Sequence, residues 1–449
     1  MRMRFFNTSV ERRGVLAAVC AMFLVGCADP LEVDLDVITP GSAGSAVGAQ
    51  ALRAAALRDM WVFTGFNVYG WAAAGLLSDE LINARNGFED VDRRTINNNA
   101  APNTTVWSGF SGVMYSGPRA IKGLRQFVPD SPTRAAQIGE VQSIRGLALT
   151  IGGEIFCNGI PFSYINDDGT QAYDSVSYTN ERLWRNAITY YDSALAAIPA
   201  GNSLRSLARI GKARALLNLN KPDSAAAVVR AGGDGAGSLA VPSSYAYSAE
   251  YSVASGLTNG PFDWIPNSAN FGTPNGSETA NTMNWIDPRI AVTFLRSGQD
   301  GVTPVYYPNY TPWTKSVAAS YPLATGTEAR LIEAEADMRN GAASWLTTLN
   351  ALRSSSALAA QLPALVDPVT PAARANMLMR ERAMWMYLTI HRLGDMRRLV
   401  RQYGREIESV FPTGAYFKGG TYGTSVALEP SLTEAQTHPY WDACTDKNP

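Results

Sequence analysis

The strongest constraint on this chain is helical periodicity in two consecutive segments with almost nothing between them. Trp184, Ile188, Tyr191, Leu195 and Ile198 follow one another at four, three, four and three residues and stop at Pro199. They line one face of an amphipathic helix that a proline ends. In LARIGKARALLNLNKP, Ala208, Gly211, Ala215 and Leu219 share a face of a second helix, interrupted by Pro222. Those side chains are small enough for a neighbouring helix to come close. Helix, short turn and small-faced helix is the tetratricopeptide plan. A further helix is expected around Ser224 to Arg230, before GGDGAGS opens a loop.

The arrangement returns late in the chain. EARLIEAEADMRNG places Leu331, Ala334 and Met338 on one face, and SWLTTLNALR places Trp345, Leu349 and Leu352 on another after a glycine-containing turn. QIGEVQSIRGLALTIGGEIF and ANMLMRERAMWMYLTIHRLGDMRRLV are also expected to be helical. Hairpins that each expose an apolar face must stack to bury it, so the expected fold class is mostly α, a solenoid-like core of tetratricopeptide-like hairpins. Trp107, Trp184, Trp345 and Trp385 fall in helical patterns and should belong to the core. From about residue 232 to 321 the period disappears into Gly, Pro, Ser, Asn and Thr with interspersed aromatics. A long irregular excursion in a helical body is uncommon and usually functional when ordered.

Arg2, Arg4, Arg12 and Arg13 precede an apolar run from Val15 to Val25, which leads into Gly26 and Cys27. That run is well short of the ~20 apolar residues of a spanning helix and reads as an export signal over residues 1–26, cleaved before a lipidated Cys27. The alternative is an ordinary secretion signal followed by a chance cysteine. Residues 27–45, with Asp29, Glu32, Asp34 and Asp36 ahead of a Pro, Gly and Ser stretch, read as a flexible tether. Residues 46–449 form the expected single folded domain. Removing a signal of net charge +3 takes the chain from −1 to −4, a balance that gives no reason to seek nucleic acid. Cys20 leaves with the signal and Cys27 is spent on lipid, so Cys157 and Cys444 remain as an expected disulfide in an oxidising compartment.

Catalysis finds little support. Only His391 and His438 exist, which nearly excludes histidine triads and multi-histidine metal sites. No GxSxG elbow appears, and GGDGAGS lacks the Lys and Ser/Thr of a phosphate loop. NDDGTQAYD, with Asn166, Asp167, Asp168 and Asp174, reads as a turn rather than a calcium loop. Asp79-Glu80 and Glu333 with Glu335 are carboxylate pairs, the latter expected on a helix surface. Neither a cofactor nor a metal is implied.

Several segments together resemble the SusD/RagB family. They are the lipobox at Cys27, LLSDEL around Asp79 and Glu80, VWSGFSGVMYSGPRAI, IRGLALTIGGEIFCNGIPF, RIGKARALLNL, Asp287 to Arg289, EARLIEAEADMRNG with LNALR, and RERAMWMYLTIHRLGDMRRL. Their order spans nearly the whole chain after the signal. The chain is short for the family, and His391 stands before Arg392 where a small residue is common. The resemblance implies a helical body with loops and a few short strands forming a ligand platform. It implies a surface lipoprotein of the outer membrane that captures an oligosaccharide or peptide and closes over a TonB-dependent, SusC-like transporter without chemically altering its cargo.

Sugar recognition needs flat aromatic faces for the apolar side of a pyranose and polar groups for its hydroxyls. Trp264, Phe271, Trp285, Tyr306 and Trp313 in the excursion are the aromatic candidates, and Arg85 and Asn86 beyond the SDEL motif are the polar ones. The alternative is an extracytoplasmic tetratricopeptide-like scaffold that binds a protein partner and no small ligand.

Overall fold

The computed structural model describes residues 44–65, 70–83, 87–97, 101–165, 170–235, 237–249, 287–290 and 320–449. Within the excursion it also describes the backbone of strands at 264–266, 272–274, 283–285, 292–297 and 304–308. Residues 1–43, which include the expected signal, Cys27 and all but the last two residues of the expected tether, lie outside the described residues.

Helix α1 (Ala46–Thr64) starts where the Ser45 side chain accepts the Gly48 N–H. It is followed by α2 (Gly70–Leu77), buried along its whole length, strand β1 (Leu81–Asn83) and the single turn α3 (Glu89–Asp92). The long helices α4 (Ala101–Phe127) and α5 (Pro132–Ile155) come next, α5 opened by a Ser131 cap and a proline in its first turn. A hairpin of β2 (Ser163–Ile165) and β3 (Gln171–Tyr173) leads to α6 (Asn180–Ala197), α7 (Leu204–Asn218) and α8 (Pro222–Val229). The Asn166 to Asp168 part of the acidic turn lies outside the described residues, and Asp174 accepts the Tyr178 hydroxyl at 2.5 Å.

Successive helices pack in series. α1 lies on α4, α4 on α5, α5 on α6, α6 on α7, α7 on α8 and α8 on α9 (Gly326–Arg339), which pairs in turn with α10 (Ser344–Ser355). This is the stacked-hairpin arrangement that the periodicity predicts, and the reason is visible at Tyr191. Its ring sits against Gly146 of α5 and Gly211 of α7, where an added Cβ would come within 2.9 Å and 2.4 Å of ring atoms. The small face of α7 is therefore the socket for a buried tyrosine on α6, and the Tyr191 hydroxyl reaches Thr150 Oγ1 at 3.1 Å. A separate apolar cluster joins Leu331, Ala334 and Met338 to Trp345, Leu349 and Leu352, the faces read for α9 and α10. Trp107, Trp184 and Trp345 are buried, whereas Trp385 is half-buried with the Arg289 guanidinium over its ring at 4.7 Å.

Two expectations are corrected. The segment from Ala375 to Val400, read as continuously helical, is two helices, α11 (Pro371–Trp385) and α12 (Arg392–Tyr403). Between them Leu388 (φ 56°) and Ile390 (φ 61°) adopt left-handed conformations. Such values are unfavourable for branched side chains and persist only where surroundings over-determine them. Here the Leu388 N–H donates to Glu80 Oε1 at 3.0 Å, and the Leu388 carbonyl accepts the Trp71 indole N–H. The second correction concerns Glu333 and Glu335, which are buried rather than on a helix surface. Glu335 accepts from Arg398 and from the Tyr403 hydroxyl, and Glu333 pairs with Arg330 at 2.9 Å.

Among the described residues, the excursion holds short antiparallel pairs. β4 (Ala246–Ala249) pairs with β10 (Tyr321–Thr325), β6 (Gly272–Pro274) with β7 (Met283–Trp285), and β8 (Val292–Ser297) with β9 (Pro304–Pro308). β5 (Trp264–Pro266) instead reaches across to β1. After α12 come the turn α13 (Ile407–Val410) and α14 (Leu432–Thr437). Cys157 and Cys444 are joined in a disulfide, Cα atoms 6.0 Å apart, and backbone hydrogen bonds from Cys157 to Leu428 and from Asn158 to Asp446 hold the tail beside it. No helix among the described residues is long and apolar enough to cross a membrane.

Candidate ligand platform

The link between the helical body and the excursion is the β1–β5 pair, in register Leu81 to Pro266, Ile82 to Ile265 and Asn83 to Trp264. β9, which carries Tyr306, packs beside β5. Trp264 and Tyr306 thus lie on neighbouring strands, and Trp264 stands opposite the residue that precedes the 84–86 segment. Trp285 sits on the separate β6–β7 hairpin, opposite Gly272. Arg85, Asn86, Phe271 and Trp313 lie outside the described residues.

The described residues on either side of positions 84–86 are held by hydrogen bonds. The Asn83 N–H donates to Asp92 Oδ2 at 2.8 Å, and the Tyr416 hydroxyl donates to the same oxygen at 2.9 Å. Gly87, at φ 86°, supplies the left-handed turn and donates its N–H to Glu89 Oε2 at 3.0 Å. Burial pushes the Asp92 carboxyl up to about 7, and the two hydrogen bonds oppose that rise only partly. Asp92 and Tyr416 are absent from the sequence reading. The signal available for them was the acid-rich turn FEDVD after a glycine, which composition alone does not distinguish from any solvated helix start.

Beneath β1 lies an ionic layer that fixes the platform to the body. Arg392 holds Asp79 with two parallel bonds, of 2.5 Å and 2.7 Å, and Glu80 accepts from Leu388. Burial pushes the Glu80 carboxyl up to about 8, against the Leu388 N–H and the Arg392 charge. His391, at the start of α12, is buried with its Nε2 3.0 Å from Glu328 Oε1. Asp395 lies between Arg382 and Arg398; burial alone would raise its carboxyl, but the two guanidinium groups hold it at about 2. Arg289 of the Asp287–Arg289 motif bridges Asp287 and Glu381, and Glu381 also takes Arg353 at 2.6 Å. Asp79, Glu80, Asp287, Glu381 and Asp395 each accept hydrogen bonds and Glu328 pairs with His391, which suits a scaffold. Among the described residues no group of three or more His, Cys, Asp and Glu side chains could hold a metal ion.

No family model matches the chain, and no curated protein matches it. Solved structures do. A SusD superfamily protein from Bacteroides vulgatus is similar at 15% identity and a TM-score of 0.59, over 89% of this chain and 98% of that one. A laminarin-binding SusD-like protein is similar at 15% identity and a TM-score of 0.58, over 88% of this chain and 100% of that one. Surface glycan-binding protein A from Bacteroides uniformis is similar at 14% identity and a TM-score of 0.59, over 88% and 98%. The likeness extends over most of the chain, which has the SusD-like fold.

Proposed function

We propose that this protein is a lipid-anchored glycan-binding protein of the outer-membrane surface. It captures an oligosaccharide at the β1–β5–β9 platform and passes it unaltered to a TonB-dependent, SusC-like transporter. The observation that carries this reading is the register that sets Trp264 against Asn83, at the mouth of the segment bearing Arg85 and Asn86. On this reading an aromatic candidate from the excursion and the polar candidates from the helical body act together on the ligand, as sugar binding requires. The fold supports the same class, since structures that share it include a laminarin-binding and a surface glycan-binding protein. Lipidation at Cys27 supplies the anchor and the acidic tether the reach.

The test is retention of the purified protein on immobilised glycans and peptides. Retention on at least one neutral glycan, lost in Trp264→Ala or Arg85→Ala at unchanged circular dichroism, is the expected result. Retention on peptides alone would move the cargo to peptide, and binding to neither would favour a protein scaffold. Purification from membranes in mild detergent should bring a large barrel with the wild-type chain.

A further inference from the structure

A cleft of 210 Å³ opens between α4, the β2–β3 hairpin and α14, formed by described side chains and distinct from the platform. Its volume is below that of a drug-sized site and suits a single ring. Trp107 and Phe162 make its apolar wall, and two large aromatics stand at its mouth, Tyr115 at 44% and Tyr164 at 51% exposure. Glu434 supplies the polar centre. Its Oε2 accepts the Trp107 indole N–H at 3.1 Å, and its Oε1 accepts the Ser163 hydroxyl at 3.0 Å. Those bonds fix the carboxylate, yet each oxygen keeps a second lone pair for a ligand. The Gln171 amide adds a donor and an acceptor at the edge.

These features select a chemistry. A fixed carboxylate accepts hydroxyl protons and repels anions and carbonyl oxygens. Cations are disfavoured at the mouth because the Arg119 guanidinium already lies over the Tyr115 ring at 3.8 Å and donates to its hydroxyl. An aromatic face beside an acceptor-rich floor, with a positive rim, fits a neutral ring that has an apolar face and several hydroxyl groups. We propose that this cleft is a second saccharide subsite, taking one neutral pyranose ring against Tyr164 with a hydroxyl on Glu434. The proposal deepens the glycan reading of the protein and rests on it. A subsite of this kind would hold a branch or chain end of a glycan whose main run lies elsewhere, raising retention by adding a second point of attachment.

Saturation-transfer NMR of the full-length protein tests it, with the methyl glycosides of glucose, galactose, mannose and xylose as probes. Transfer to the ring protons of at least one glycoside is expected. The signal should weaken about three- to tenfold in Tyr164→Ala, the range that one aromatic contact contributes. Glu434→Gln, which keeps the shape and an acceptor for Trp107, should weaken it while leaving thermal melting unchanged. A signal that both variants leave intact overturns the cleft while the glycan reading stands. Absence of transfer from the wild type to every glycoside, with longer glycans still retained on the array, overturns it as well. Absence of any glycan binding by the wild type removes the reading on which the subsite rests.

Discussion

Glu80 Oε1 accepts the backbone N–H of Leu388, a residue 308 positions away that is held in a left-handed conformation. One side chain beside the platform therefore stabilises a turn that its own sequence disfavours, and the turn sets the start of α12. With its carboxyl pushed up to about 8, Glu80 carries its proton at neutral pH. Glu80→Gln preserves the neutral acceptor and should cost less than about 1 kcal/mol of unfolding free energy at pH 7. Glu80→Ala leaves the Leu388 N–H unsatisfied and a cavity behind it, and should cost about 2–4 kcal/mol. Urea unfolding of the two variants measures the difference, and equal losses would contradict a neutral Glu80.

The pH dependence of stability follows from the same physics. Asp92 and Glu80 titrate at about 7 and about 8 in the fold, against ordinary values of 3.8 and 4.5. The folded state binds more protons than the unfolded state between these limits. Their contribution is fully present below pH 4 and is lost as pH rises through 7 and 8. Melting temperature should therefore fall from pH 5 to pH 8, and Asp92→Asn should flatten the lower part of that slope. Asp395, held at about 2 by Arg382 and Arg398, acts in the opposite sense, its contribution being lost only as pH falls from about 4 towards 2.

Gly211 is irreplaceable on steric grounds. Its φ is ordinary, but a methyl group there would meet the Tyr191 ring at 2.4 Å, and that ring is buried between two helices. Gly211→Ala would normally favour a helix by about 1 kcal/mol. Here overpacking should reverse the sign and destabilise by about 1–3 kcal/mol. A compensating Tyr191→Phe should restore only part of the stability, since the added methyl meets two ring carbons as well as the hydroxyl oxygen, all at 2.4 Å. Chemical denaturation of the single and double variants checks both statements.

Reduction of the Cys157–Cys444 bridge should lower stability by about 3–5 kcal/mol, the range for a long closed loop. Backbone hydrogen bonds from Cys157 to Leu428 and from Asn158 to Asp446 would remain, so the loss should appear first as faster amide exchange over residues 428–449. Exchange mass spectrometry with and without reductant resolves it. Uniform exchange along the chain would show that the tail unfolds only with the whole domain.

Local information was enough for the helical series. The α6 face at Trp184, Ile188 and Tyr191, the small face of α7 and the α9–α10 faces are periodic signals, and the structure keeps each of them. The break between α11 and α12 was not legible because the apolar pattern runs through it. Leu388 is left-handed for tertiary reasons supplied by Trp71 and Glu80, and the carbonyl of left-handed Ile390 accepts from Arg214 at 3.0 Å. Glu333 and Glu335 looked like surface charges for the same reason: Arg330, Arg398 and Tyr403 pair with them, and the last two sit far along the chain. At the platform, residue types pointed to Trp264 and Tyr306, but only long-range strand pairing sets one against Asn83 and the other beside it.

The bridge has a topological meaning beyond stability. It converts the chain from residue 157 to residue 444 into a covalent ring that includes the whole excursion, with the N-terminal helices attached at one point. A protease that cuts the ring once, anywhere in the loops around the platform, opens it without releasing a fragment. The cut protein keeps every residue tied to the segment that leads back to Cys27. In the lipid-anchored, surface-exposed arrangement proposed above, a single nick in the most irregular region would not shed the C-terminal half.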